Sequence, residues 1–179
     1  MTKDPKGPTT AQFAVLGLVA ERPRHGFAIA KLLGPRGEIG RVWSLPPTVI
    51  YRALATTTAR GLTDVAGFED SEFGPQRTIY TITAAGNHLL REWLYRPVDH
   101  VRDVRVELLL KLALLDRSGE DPVPLLQAQR EHLVPVVAGL RQQSAAERSG
   151  FDRTLAIWRA ESAEAAMRFI NRALSEHSC

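Results

Sequence analysis

Ser44-Leu45-Pro46-Pro47-Thr48-Val49-Ile50-Tyr51-Arg52-Ala53-Leu54, residues 44–54, decides how the chain reads. Proline is accepted in a first helical turn, so the run predicts a helix opening at Pro46-Pro47 and continuing to Arg60, with Gly61 as its stop. Val49, Ile50, Ala53 and Leu54 offer that helix a packing side. Thr48, Tyr51 and Arg52 fall at i, i+3 and i+4 and share another face. Upstream, Thr9 or Thr10 caps a helix to about Glu21, with Phe13, Leu16, Val19 and Ala20 at helical spacing. A second helix is expected over Gly26–Leu33, with Phe27, Ile29, Ala30 and Leu33 available for burial. Gly34-Pro35-Arg36-Gly37 then imposes a loop. Downstream the period changes to that of strands at Leu62–Ala66 and Arg77–Ile82, joined by a long polar tip over Gly67–Gln76. Three helices followed by a two-stranded hairpin is the order of a winged helix-turn-helix.

Thr83 is placed to cap a fourth helix with Leu89, Leu90, Trp93 and Leu94 at helical spacing. Beyond Pro97 the pattern is helical throughout. Val104–Leu115 is strongly apolar, and Pro122 or Pro124 starts a long helix towards Ser149 that Pro135 is expected to kink or break. The helix over Phe151–Glu176 carries Leu155, Trp158, Met167, Ile170 and Leu174 as an apolar stripe. The fold class expected is mainly α (α+β): a disordered tail at 1–9, a winged helix-turn-helix at 10–96 and an α-helical dimerisation domain at 97–179.

With 179 residues, 44% hydrophobic and 24% charged, the composition is that of a globular chain, which excludes wholesale disorder. No run approaches the ~20 apolar residues that span a bilayer, so no membrane partner is expected. The only cysteine is Cys179, so no intramolecular disulfide exists, which fits a cytoplasmic address. Net charge is +3, and all of the excess lies in residues 1–100, with 12 Lys+Arg against 9 Asp+Glu. Arginine outnumbers lysine 19 to 4, and its planar fork suits phosphates and guanine edges.

The five histidines, at 25, 88, 100, 132 and 177, are scattered. No CxxC, HExxH or carboxylate cluster forms a metal motif, and no GxSxG, P-loop or GxGxxG forms a catalytic or nucleotide-binding one. Neither a cofactor nor an enzyme activity is expected. The nucleic-acid reading rests on the third helix, because a major groove admits one helix whose N-terminal residues face base edges. Its candidate DNA contacts are Ser44, Pro47, Thr48, Tyr51 and Arg52, although Tyr51 and Arg52 taken singly also fit a packing and a solvated role. His25, before the second helix, either receives a phosphate or only caps the helix. Arg77 sits where a wing reaches backbone or minor groove, or stands as a solvated strand arginine. Glu69, Asp70 and Glu72 make the wing tip acidic, against a DNA-facing role.

Taken together, these segments resemble the PadR family of transcriptional regulators. Phe13–Leu18 and Arg24-His25-Gly26-Phe27-Ala28-Ile29-Ala30 are similar to the family's opening. Leu45–Leu54 with Arg60-Gly61-Leu62 is similar to its recognition helix, and Gly74–Gly86 to its wing and the cap that follows. Arg91-Glu92-Trp93-Leu94 and Glu107–Leu112 extend the likeness to members with a virulence-activator-alpha C-terminal domain. The chain departs from the pattern at Pro46-Pro47, where one proline is usual, and at Thr56-Thr57-Thr58-Ala59, which replaces a charged stretch. Three β-branched threonines predict a weakened end to the recognition helix.

The resemblance implies a homodimeric regulator of double-stranded DNA whose C-terminal helices supply the dimer contact. It also implies that some members answer small aromatic or phenolic ligands. The function expected is a transcriptional repressor acting as a homodimer on a palindromic operator and released by a small aromatic ligand. Trp93 and Trp158 are the candidate effector residues, unless both rings simply fill core volume. The alternatives are a winged-helix protein-interaction module, or an activator without a small-molecule effector.

Overall fold

The computed structural model describes residues 7–71, 74–146 and 149–177, with no account of the side chains of Ser71, Gly74 and Pro75. Thr9 closes a capping box at the start of α1 (Thr10–Glu21): its hydroxyl accepts from the Gln12 N–H at 3.4 Å, and Gln12 Oε1 accepts from the Thr9 N–H at 2.9 Å. Most of the expected 1–9 tail, residues 1–6, lies outside the described residues. Phe13 to Val19 are buried without a break, so α1 is covered on every side and is the central helix of its unit.

Around α1 lie β1 (Arg24–His25), α2 (Gly26–Leu33), α3 (Pro47–Ala59), β2 (Thr63–Ser71), β3 (Gly74–Ile82) and α4 (Ala84–Tyr95). This is the winged helix-turn-helix, with one addition. The expected two-stranded wing is a three-stranded antiparallel sheet in the order β1-β3-β2, because Arg24 and His25 pair with Tyr80 and Ile79. A two-residue strand leaves no periodicity in the sequence, so hydropathy did not show it. The wing strands also run further than expected, over residues assigned to a polar tip. Bulges between Val65 and Gly67 and between Glu69 and Ser71 break the alternation that sequence reading relies on.

The threonines of α3 do not end the helix early. Thr57 and Thr58 both donate to Leu54 O, at 2.9 and 3.0 Å, and both hydroxyls meet Thr63 Oγ1, at 3.1 and 2.9 Å. β-branching costs some helix propensity, but the hydroxyls are satisfied by the turn below and by the first residue of β2. Gly61 follows at φ 69°, the left-handed stop that glycine takes without strain.

The chain forms two compact units. Unit one runs to Leu94 and resumes at Leu110–Gly119, while unit two holds Tyr95–Leu109 and everything from Glu120 onward. The 97–179 segment expected to form one domain therefore lends ten residues to the winged helix. All but Gly119 belong to α6 (Leu109–Ser118), which follows α5 (Val101–Asp103) and a π-helical turn at Val104–Leu108. Leu114 seats on Gly17 of α1, where a Cβ would come within 2.6 Å of Leu114 Cδ1. Arg117 ties the same helix to Glu21, at 2.6 and 2.8 Å, and to Glu38 in the loop before α3. Lys111 is fully buried, with its ammonium 4.7 Å from the centre of the Trp93 ring.

Unit two is built on α7 (Val123–Ala146) and α8 (Gly150–His177), which pack along each other. Pro135 does not break α7: it is exposed, and Leu133 and Val137 beside it are buried, so packing outweighs the lost hydrogen bond. Gln129 is buried and fixes Val98 from both sides, accepting from its N–H at 2.7 Å and donating to its carbonyl at 3.0 Å. The buried side of α8 is Ala156, Ala160, Ala163, Ala166, Ile170 and Leu174. Trp158 is two residues from both Ala156 and Ala160, about 200° round the helix from each, and so faces outward at 69% exposure. The expected stripe holds for Ile170 and Leu174 and fails at Trp158.

Candidate nucleic-acid interface

Pro46 and Pro47 give α3 an extended entry and a rigid first turn. Ile50, Ala53, Leu54 and Thr57 are buried. Pro47, Thr48, Tyr51 and Arg52 are accessible on the first turns of α3, and Ser44 is accessible in the segment before it. Tyr51 is 49% exposed because its inner edge rests on Gly26, where a Cβ would lie 2.5 Å from Tyr51 Cε1. Packing and exposure coexist in that one ring. One edge of the ring is held against Gly26 while about half of the residue stays accessible, a partly preorganised position.

His25 caps α2: its Nδ1 accepts from the Ala28 N–H at 3.1 Å. In the neutral ring that bond leaves the proton on Nε2, which lies 3.8 Å from Glu69 Oε2. Arg77 stands on β3 directly opposite Glu69 of β2, with its guanidinium 5.5 Å from the centre of the Phe27 ring. The His25 ring lies nearly parallel to Phe27, with centroids 6.2 Å apart. β1, α2, β2 and β3 thus bring one histidine, one aromatic, one acid and one arginine to a single patch.

Phe27 is the residue that sequence reading misplaced. Its apolar side chain in α2 suggests the core, yet it is 60% exposed. The signal was present in the spacing, since Ile29 and Leu33 are i, i+4 partners and Phe27 is two residues from Ile29. Glu69 joins the site through a bulge that the sequence does not reveal.

The two effector candidates belong to different units. Trp93 is 4% exposed and stacks on Phe13 at 4.4 Å and 5°, with the Lys111 ammonium over its ring. A ring with two such neighbours fills core volume, the packing role that the sequence also allowed for it. Trp158 lines a cavity of about 940 Å³ in unit two, together with Arg102, Arg105, Leu140, Arg159 and Phe169.

Residues 15–92, spanning α1 to α4 and so the whole of this face, match the Transcriptional regulator PadR-like family. Over that stretch the chain is similar to the PadR-like regulators. The matched stretch carries the winged-helix elements α1 to α4 and the three-stranded sheet. The chain is also similar to a structure of Bacillus subtilis PadR in complex with operator DNA, at 21% identity and a TM-score of 0.47, covering 91% of this chain and 97% of that one. Bacillus subtilis PadR in complex with p-coumaric acid matches at 21% identity and a TM-score of 0.42, covering 99% of each chain. The smu.1604c protein of Streptococcus mutans UA159 matches at 15% identity and 0.44, covering 92% and 98%. No curated protein matches. Among the described residues, no helix is long and apolar enough to cross a membrane, and no cluster of His, Cys, Asp and Glu is arranged to hold a metal ion.

Proposed function

We propose that the chain is a sequence-specific transcriptional repressor that binds a palindromic operator as a homodimer. The observation that carries this is the exposed face of α3, where Thr48, Tyr51 and Arg52 stand on a helix whose other side is buried. In the major groove, Arg52 offers a fork for guanine O6 and N7, and Thr48 and Tyr51 offer hydroxyls to base edges or phosphates. His25 and Arg77 serve the flanking phosphates.

The helices from residue 97 onward supply the dimer contact, in the manner of a virulence-activator-alpha domain. Phe151, Ile157, Trp158 and Phe169 leave α8 with large apolar side chains in water, which a second copy would cover. A small aromatic ligand at Trp158 would act as the release signal, provided that it prefers one of two arrangements of the dimer.

A second reading, a winged-helix module that binds protein, is favoured by the exposed acids Glu69 and Asp70. Capture of fragmented genomic DNA followed by footprinting separates the two. The repressor reading expects a protected site with two-fold symmetry, and uniform or absent protection overturns it.

A further inference from the structure

We infer that Phe27 is a positioning residue for Arg77, a ring platform that holds the wing arginine ready for the DNA backbone. The inference rests on the DNA-binding reading above and deepens it. A phenylalanine at 60% exposure in the first turn of a helix gains nothing from the core, so its place needs another account. The structure supplies one. Arg77 lies with its guanidinium 5.5 Å from the Phe27 centroid, inside the ~6 Å within which a cation is attracted to a ring face. Phe27 is itself fixed, because α2 is anchored beneath it by buried Ile29 and Leu33 and capped by His25.

Two neighbours complete the device. Glu69 faces Arg77 across the β2–β3 pair and also lies 3.8 Å from His25 Nε2. A lone arginine beside this carboxylate would be drawn down onto the strand, since opposite charges directly across a pair attract. The ring offers the guanidinium a competing seat on the α2 side. A guanidinium drawn towards a ring face and not onto a carboxylate keeps N–H donors available for a phosphate, because a ring accepts the charge without taking up hydrogen bonds as a carboxylate does. The rotamer entropy that a wing arginine would lose on meeting DNA is thereby partly removed beforehand.

The test uses the full chain and two duplexes, one selected by the protein from a random pool and one scrambled. Phe27→Leu is expected to weaken binding to both by roughly two- to five-fold, the range of an exposed cation–π contact. Phe27→Trp is expected to bind as the wild type does. Arg77→Gln is expected to weaken both duplexes and to reduce the salt slope by about one unit. In the Arg77→Gln background, Phe27→Leu is expected to add no further loss. Thermal melts are expected to match for all variants, since neither residue is buried. Losses that add in the double variant overturn the inference alone, because Phe27 then meets DNA by itself. Wild-type binding by Arg77→Gln overturns the reading of Arg77 as a DNA contact, and the inference with it. In the free protein, the Arg77 δ-methylene proton resonances are expected to be shifted upfield by the Phe27 ring and to return towards ordinary values in Phe27→Leu. Unshifted resonances in the wild type overturn the inference without reference to DNA.

Discussion

Tyr51, Arg52 and Arg77 are all accessible, but they occupy different surroundings. Tyr51 and Arg52 are exposed on α3, whose Ile50 and Leu54 are buried, while Arg77 lies on the wing over Phe27. A base-edge contact discriminates between sequences, and a phosphate contact does not. Tyr51→Ala and Arg52→Ala are therefore expected to lose about 1–3 kcal/mol on the selected duplex and little on a scrambled one. Arg77→Ala is expected to lose affinity equally on both. Fluorescence anisotropy across a salt series checks this, and equal losses on both duplexes for all three variants would remove the distinction. The face of α3 was legible in the sequence because i, i+3, i+4 spacing fixes which side chains share a helix side. Phe27 and Trp158 were not, since each depends on a second element to say which side of its helix is wet. Burial on α8 followed alanines, whose small size lets helices approach but gives no hydropathy contrast.

At the scale of elements, helices were legible to within a residue or two wherever a cap or stop is encoded, as at Thr9, Thr83 and Gly61. Thr83 Oγ1 accepts from the Gly86 N–H at 3.0 Å and begins α4 where its position predicted. β1 and the extended wing were not legible, because two residues and a bulged register carry no period. The return of α6 to the winged helix was hidden for another reason: its apolar side chains read the same whichever unit they join. Its polar lock is more specific. Burial alone would raise the pKa of Glu21, but hydrogen bonds and charge from Arg117, with Arg24 beside it, outweigh burial and hold the carboxyl below its ordinary value of 4.5. A carboxyl depressed by folding contributes stability that is present above its unfolded pKa and lost as pH falls through the folded one. Glu21→Gln is therefore expected to be less stable than the wild type at pH 7, with the gap closing as the pH drops below about 4.5. Urea midpoints at a series of pH values check this. A gap that stays constant down to pH 3 would show that Glu21 acts by shape and not by charge.

For the molecule as a whole, the two units are separate folding questions. A chain ending after Tyr95 lacks Leu114 against Gly17, Lys111 beside Trp93 and Arg117 between Glu21 and Glu38. Loss of one buried leucine typically costs about 2–5 kcal/mol, a large part of a small domain's stability. The chain ending at Tyr95 is expected to show no cooperative thermal transition, by circular dichroism. A cooperative melt from that fragment would show that α6 is dispensable to the winged helix. The claim at the centre of the account is that the exposed face of α3 reads DNA sequence, twice over in a dimer. Its most direct test is the ratio of dissociation constants for a duplex selected from a random pool and its scrambled counterpart, at physiological salt. The account predicts a palindromic winner with half-sites about 10 base pairs apart, bound at least ~10³-fold more tightly, with the preference reduced by roughly 5- to 150-fold in Arg52→Ala. A ratio near one, or a preference that survives Arg52→Ala and Tyr51→Ala together, would contradict it.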